Sequence, residues 1–294
     1  MPLFNICAVT GNNKTIQIGL VFMSREKQAD YKWALGKLKE VMTELGIPEP
    51  TVVVTDRELA LMNALDALFL CSDHILCRWH VNMNVLAKCK KHFPGPKKVD
   101  GKWRRHAKFA AFLQEWNVLL HSPTEELYTR QLAEFKKDGK HPLQAVLYCE
   151  RTWLCWKEKL VFCYVDKHLH FGYLVTSSIE GCHAGLKKYL KYCTAGLEGV
   201  YLRLLNFWED QQTAIADVTS RQVESPRHAH RKKIFTRIMD VVHSYALDII
   251  LKERAKIPAR GQPPPDGCTC TIWQSLGLPC FHTIFARERS PGYL

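Results

Sequence analysis

The amino-acid sequence predicts an α/β fold that carries a large all-α insertion and ends in a small zinc finger. Three observations lead to this prediction. Over residues 1–80, short apolar β-type runs alternate with segments of helical periodicity. Over residues 81–175, aromatic residues recur at helical spacing and no strand pattern of similar quality appears. Over residues 268–282, three cysteines and one histidine follow each other closely.

The first elements predict a β-hairpin and a helix. An apolar strand begins at Leu3, and the segment from Thr15 to Met23 alternates between apolar and polar residues. The intervening Gly11-Asn12-Asn13 favours a turn because Gly and Asn tolerate positive φ. A helix that Ser24 can cap follows, and Gly46-Ile47-Pro48 ends it.

Two strand–helix pairs come next. The β-branched run Thr51–Val54 is typical of a buried strand, and a helix is expected from about Arg57. The segment His74–Cys77 predicts a further strand, with a helix from about Trp79. The order β-β-α-β-α-β-α indicates a mixed sheet whose first two strands are antiparallel.

The rest of the chain predicts helices and a linker. We expect a core formed by residues 1–80 and 176–215, a helical insertion at 81–175 and a helical connector at 216–260. Residues 178–215 predict two helices, and residues 232–253 predict another. The segment 261–294 comprises a Gly/Pro-rich linker and the zinc finger. Four tryptophans are interpreted as core of the insertion: Trp103, Trp116, Trp153 and Trp156.

Composition and charge narrow the function classes. Lys and Arg number 41 against 29 Asp and Glu, so the net charge is 41 − 29 = +12, which favours an anionic partner such as DNA. No apolar run is long enough for a bilayer and the start does not resemble a signal peptide, so no membrane association is expected. Nuclear localisation is the expectation, with no small-molecule substrate. The twelve cysteines then indicate thiols and metal ligands rather than disulfides.

The cysteine cluster has the pattern C-x-C, nine residues, then C-x-H. Its residues are Cys268, Cys270, Cys280 and His282. Three thiolates and an imidazole form a tetrahedral ligand set for structural zinc and leave no position open for a catalytic water. The alternative is that the four residues are unrelated. The spacing resembles the SWIM zinc finger.

Two carboxylates are candidates for chemistry. Asp56 follows an apolar strand, and the carboxyl edge of a sheet is where α/β folds place their chemistry. The alternative is that Asp56 caps the next helix. Glu180, in TSSIEGCHAGLKKYL, can equally serve as a charge in the first turn of a helix.

Cys77 and His80 form a C-x-x-H pattern after the second strand–helix pair. Two ligands do not make a metal site, so a buried cysteine and a histidine at a helix start are the simpler interpretation.

Basic clusters predict contacts with DNA phosphates. Nine Lys or Arg lie between Lys88 and Lys108 against a single acid, Asp100. Further clusters lie on the helix of Glu180 and over 221–237. Solvated faces are the alternative interpretation. The candidate DNA-binding residues are Lys88, Lys90, Lys91, Lys97, Lys98, Arg104, Arg105, Lys187, Lys188 and Lys191.

Four segments, taken in chain order, resemble the transposase domain of Mutator-like elements (MULE). They begin with PLFNICAVTGNN and continue with VVVTDRELALMNAL, HILCRWHVNMN and TSSIEGCHAGLKKYL. The resemblance extends over residues 1 to about 195, and a C-terminal SWIM finger is the usual companion. It implies an RNase H-like fold with DDE chemistry. In that chemistry Asp56 is the second catalytic Asp, Glu180 is the closing Glu, and carboxylates hold two Mg²⁺ or Mn²⁺ ions for phosphodiester cleavage and strand transfer.

One departure from the family concerns its first strand and first catalytic Asp, which lie just before the segment that begins at Leu3. We expect the sheet to lack that strand. The chain is then either a truncated DDE transposase, inactive as it stands, or a non-catalytic DNA-binding regulator like the FAR1-type domesticated transposases. The resemblance also implies a possible homo-oligomer.

Overall fold

The computed structural model describes residues 1–175, 177–190, 196–239, 241–257, 268 and 270–288. The chain divides into two compact units. The first, here called the hairpin unit, comprises the described residues within 1–26, 177–273 and 277–294. The second, called the insertion unit, comprises those within 27–176 and 274–276.

The hairpin unit begins with the antiparallel strands β1 (Leu3–Val9) and β2 (Thr15–Phe22). The predicted turn is confirmed, with Asn13 at a φ of 59°. Two long helices follow in this unit, α8 (Ser177–Leu190) and α9 (Leu197–Glu224). The buried Gln17 joins β2 to α9: its backbone N–H donates to Gln211 Oε1 (2.8 Å), and Gln211 Nε2 donates back to its carbonyl (3.0 Å).

The rest of the hairpin unit packs around a second small core. Helix α10 (Ser244–Arg254) and helix α12 (Phe281–Glu288) contact each other, with α11 (Ile272–Leu276) between them in sequence. The helix expected over residues 232–253 begins only at Ser244, and short 3₁₀ turns at 228–230 and 233–235 precede it. The core residues are Phe235, Leu247, Ile250 and Ile284.

In the insertion unit, α1 (Gln28–Glu44) leads to the parallel strands β3 (Val52–Thr55) and β4 (Asp73–Leu76). Each strand is followed by a helix, α2 (Leu59–Leu68) and α3 (Arg78–Cys89). The expected Ser24 cap is wrong. Lys27 occupies the N-cap position, and its backbone N–H donates to Asp30 Oδ2 (3.3 Å).

Four α-helices make most of the insertion that follows: α4 (Ala107–Leu120), α5 (Glu125–Phe135), α6 (Leu143–Thr152) and α7 (Phe162–Val165). Single-turn or longer 3₁₀ segments lie at 90–92 and 154–159. The core between these helices is aromatic. Phe112 and Trp116 are fully buried, and Phe109, Phe135 and Trp153 are nearly so. Burial of this apolar surface stabilises the packing of these helices.

The insertion is not all-α as expected. Strands β5 (Lys97–Val99) and β6 (Lys102–Arg104) form an antiparallel ribbon. Its turn is Asp100-Gly101, with φ values of 50° and 75°, and two residues at positive φ are what a two-residue type I′ hairpin turn requires. Trp103, expected in the core, lies on this ribbon with 73% of its surface exposed.

The strands of the described residues form three separate two-stranded sheets: β1–β2, β3–β4 and β5–β6. The expected single mixed sheet is therefore not formed among them. The fold is mixed α/β with small sheets and many helices. No helix in the described ranges is both long enough and apolar enough to span a bilayer.

Candidate functional sites: a thiol–imidazole cluster and a strand-end carboxylate

The structure brings Cys268, Cys270, Cys280 and His282 together, with all four donor atoms within 4.8 Å of one another. Cys268 Sγ lies 3.5 Å from Cys280 Sγ, and His282 Nδ1 lies 3.3 Å from Cys270 Sγ and 3.8 Å from Cys280 Sγ. These spacings are close to those between the donors of a tetrahedral zinc site, whose Zn–N and Zn–S bonds are about 2.0–2.3 Å long. The donor set therefore fits zinc in both chemistry and spacing.

Neighbouring groups hold this cluster in place. Burial alone would raise the pKa of the Cys280 thiol, but hydrogen bonds from Thr283, Cys268 and His282 outweigh it and lower that pKa to about 6. The pKa of Cys270 is raised to about 12, first by burial and then by the adjacent thiols. Zinc binds the thiolate, so a thiol of lowered pKa releases its proton to solvent and binds the metal more readily.

A second support comes from helix α10. The buried Glu253 accepts a hydrogen bond through Oε2 from the backbone N–H of Phe281 (3.3 Å), the residue between the ligands Cys280 and His282. Arg254 Nε donates to Glu288 Oε1 (2.6 Å) at the other end of α12. These partners could not be predicted from the sequence, because Glu253 and Phe281 are far apart in the chain.

Asp56 lies immediately after β3, at the carboxyl edge of the parallel pair. Helix α2 begins later than expected, and its N-cap is Glu58, whose Oε1 accepts from Ala60 N (3.2 Å). Asp56 therefore does not cap the helix, which removes that alternative. Its side chain is exposed and, among the described residues, forms no ion pair. The neighbouring Arg57 instead lies over the Trp153 ring (4.8 Å) and donates to the Thr152 carbonyl (3.0 Å).

Three polar side chains fix the strand end that presents Asp56. Thr55 Oγ1 donates to the Asp56 carbonyl (2.7 Å), so it must accept from His74 Nε2–H (2.7 Å). His74 Nδ1 is then left as the acceptor for Lys159 Nζ (3.4 Å). Burial, followed by the charge of Lys159, lowers the pKa of His74 to about 4, which is consistent with this neutral tautomer.

Cys77 and His80 lie at the same edge, after β4. The Cys77 N–H donates to the Thr55 carbonyl (2.7 Å), and the fully buried Cys77 is the N-cap residue of α3. His80 lies in the first turn of α3 and packs edge-on against Trp79 at 4.8 Å. Arg78 lies 4.1 Å over the Phe162 ring, and burial lowers its pKa to about 10. The geometry favours structural roles for Cys77 and His80.

The partner carboxylate Glu180 lies in the first turn of α8, in the hairpin unit, and its side chain is outside the described part of the structure. Among the described residues, the thiol–imidazole cluster is the one group of three or more potential ligands that lies close enough to hold an ion. A joint site of Asp56 and Glu180 for Mg²⁺ or Mn²⁺ therefore stays a prediction.

The candidate DNA-binding side chains are exposed wherever the structure describes them, in α3 and the turn after it, in the β5–β6 ribbon and in α8. Lys191 lies outside the described residues. None of the described members forms an ion pair with another described residue. These members are Lys88, Lys90, Lys91, Lys97, Lys98, Arg104, Arg105, Lys187 and Lys188.

The first part of the chain matches a known protein family. The MULE transposase domain matches residues 1–84, which contain the β1–β2 hairpin, Asp56 and the C-x-x-H pattern. The chain is also 26% identical, over 313 aligned positions, to a protein of Chaetomium globosum named PKS-NRPS hybrid synthetase cheA. That alignment covers 98% of this chain but only 7% of the synthetase, so the chain spans a small part of its relative. Residues 1–84 thus match the MULE transposase domain, and the C-terminal cluster is compatible with a SWIM-type zinc finger.

Proposed function

We propose that this chain is a DNA-binding protein of transposase type, in which zinc at the C-terminal cluster is structural and Asp56 and Glu180 are two of the carboxylates of a site for metal-dependent phosphodiester cleavage and strand transfer. The match of residues 1–84 to the MULE transposase domain carries the proposal. The position of Asp56 supports it, because this carboxylate lies exposed at the strand end and has no capping role. The net charge of +12 supports an anionic substrate.

In this proposal, the residues of the chain divide the work between them. Asp56 and Glu180 supply hard oxygen ligands, and divalent ions bound there would activate the attacking hydroxyl and stabilise the leaving oxygen. Thr55, His74 and Lys159 hold the Asp56 backbone in place. The exposed Lys and Arg side chains hold the DNA backbone and contribute no base selectivity.

The test uses the purified full chain and short duplex DNA. We expect binding that weakens steeply with salt, since each phosphate contact releases a counterion. Any nicking of supercoiled DNA that depends on Mn²⁺ should be lost in Asp56→Asn and Glu180→Gln and kept in Glu58→Gln, a control carboxylate two residues from Asp56. Binding without any Mn²⁺-dependent nicking would overturn the catalytic part and leave the DNA-binding part standing.

A second candidate is a non-catalytic, zinc-dependent DNA-binding regulator. It is favoured by the thiol–imidazole cluster, whose four donors complete a tetrahedral set without a catalytic water. In this case Asp56→Asn should leave DNA affinity equal or slightly higher, because it removes a negative charge. Nicking that depends on Asp56 would exclude this candidate.

A further inference from the structure

The β5–β6 ribbon is a cationic surface with an aromatic side chain at its centre. Lys97 pairs with Arg104 and Lys98 pairs with Trp103 across the two strands. Residues directly opposite each other in an antiparallel pair share one face, so Lys98 and Trp103 lie on the same face. Arg104 and Lys97 lie on the other face, and all four side chains are exposed.

Trp103 belongs to no hydrophobic core among the residues that the structure describes. It is 73% exposed, whereas Trp116 and Trp153 of the same unit are buried in the core. Lysines on an exposed ribbon can be explained as protection against strand pairing between molecules. That explanation does not extend to Trp103, because an exposed aromatic ring promotes association instead.

We propose that the ribbon binds DNA with an unpaired base stacked on Trp103 and phosphates held by Lys98 on the same face. An indole between cations is the arrangement that binds single strands, since every base offers a π-face and every nucleotide a phosphate. The ribbon face is open to solvent on the Trp103 side, so a base flipped out of a duplex can reach the ring. The inference rests on the proposed DNA binding and adds a preference for DNA that contains an unpaired nucleotide.

The experiment compares the affinity of the full chain for a labelled duplex and for the same duplex with a one-nucleotide bulge, by fluorescence anisotropy without Mg²⁺. We expect tighter binding to the bulged DNA. Trp103→Ala should reduce that affinity about 5- to 150-fold, the fold-change that loss of one base–aromatic stack produces. Trp103→Phe should keep most of the preference. Lys98→Ala should weaken binding to both DNAs alike and reduce the salt slope by about one.

Trp33→Ala is the matched control, since Trp33 is 58% exposed but lies on α1, outside the ribbon. It should change neither affinity. Equal affinities of the wild-type chain for both DNAs, or a bulge preference that survives Trp103→Ala, would overturn the inference while duplex binding stands. Absence of any DNA binding by the wild type would instead overturn the proposed function. Tighter binding to single-stranded RNA than to the bulged DNA would also overturn the assignment to DNA.

Discussion

Removal of zinc from the C-terminal cluster should disrupt the packing of α12 against α10. The ligands Cys280 and His282 flank the first residue of α12, and Glu253 of α10 accepts from that same residue. Without the metal, only weak hydrogen bonds between thiols and imidazole, such as the Cys268–Cys280 contact at 3.5 Å, hold the ligands together.

The size of the effect follows from what α12 buries. Ile284 and Phe285 are 6% and 8% exposed, and Ile284 packs with Leu247 and Ile250. Burial of two such side chains contributes about 3–6 kcal/mol, while zinc binding to a finger of this type contributes about 10–16 kcal/mol at pH 7. The metal term is the larger one, so the folding of this segment should depend on zinc.

Hydrogen exchange of the full chain, with zinc and after chelation, measures this directly. We expect amides of α10 and α12 to lose protection on chelation and to regain it when zinc is restored. Cys280→Ser should give the chelated pattern even with zinc present, whereas Cys71→Ser, at an exposed cysteine outside the cluster, should behave as the wild type. Thr283→Val should weaken zinc binding about 10- to 100-fold through loss of its contact with Cys280. Unchanged protection of α12 in the chelated protein would refute the reasoning.

Three further predictions concern the insertion unit. Glu58→Ala should lower the free energy of unfolding by about 1 kcal/mol through loss of the α2 cap, while Asp56→Ala should leave it unchanged. Urea unfolding of both variants measures this, and equal losses would contradict the assignment of the cap. Trp116→Ala should cost about 3–5 kcal/mol in the same assay, because this fully buried ring leaves a large cavity, and a loss below 1 kcal/mol would contradict its place in the core. His74 has a pKa of about 4 in the folded chain against 6.5 unfolded, so its contribution, at most about 3 kcal/mol, is complete above pH 6.5 and is lost as the pH falls to 4. Stability measured from pH 7 to 4 should therefore fall less steeply in His74→Gln, and an unaltered slope would contradict the lowered pKa of the buried His74.

The sequence predicted those elements whose cause is local. The β1–β2 hairpin follows from alternation and from an asparagine that accepts positive φ. The strand β3 follows from a β-branched run, and the cysteine cluster follows from spacing alone, since its members lie in two close pairs. In each case the residues that decide the structure are neighbours in the chain.

The sequence did not predict elements that depend on residues distant in the chain, or strands that lack the usual apolar alternation. The β5–β6 ribbon was missed because its strands are charged, although Asp100-Gly101 is a typical type I′ turn sequence. The supports of Asp56 were invisible because His74 and Lys159 reach Thr55 only through tertiary packing. The cap of α2 moved from the expected position because Glu58, closer to the helix, offers its own carboxylate.

The zinc finger and the β5–β6 ribbon can be tested independently as DNA-binding surfaces, because each unit has its own hydrophobic core. The cluster around Leu247 belongs to the hairpin unit, and the aromatic cluster around Trp116 belongs to the insertion unit, as does the β5–β6 ribbon. Chelation removes the ligand that supports the first core directly. DNA affinity that survives chelation and falls in Lys98→Ala must therefore come from the ribbon, whereas affinity that chelation abolishes and Lys98→Ala spares must depend on the zinc finger. This comparison separates the ribbon from the zinc finger as the source of DNA affinity, which net charge alone cannot do.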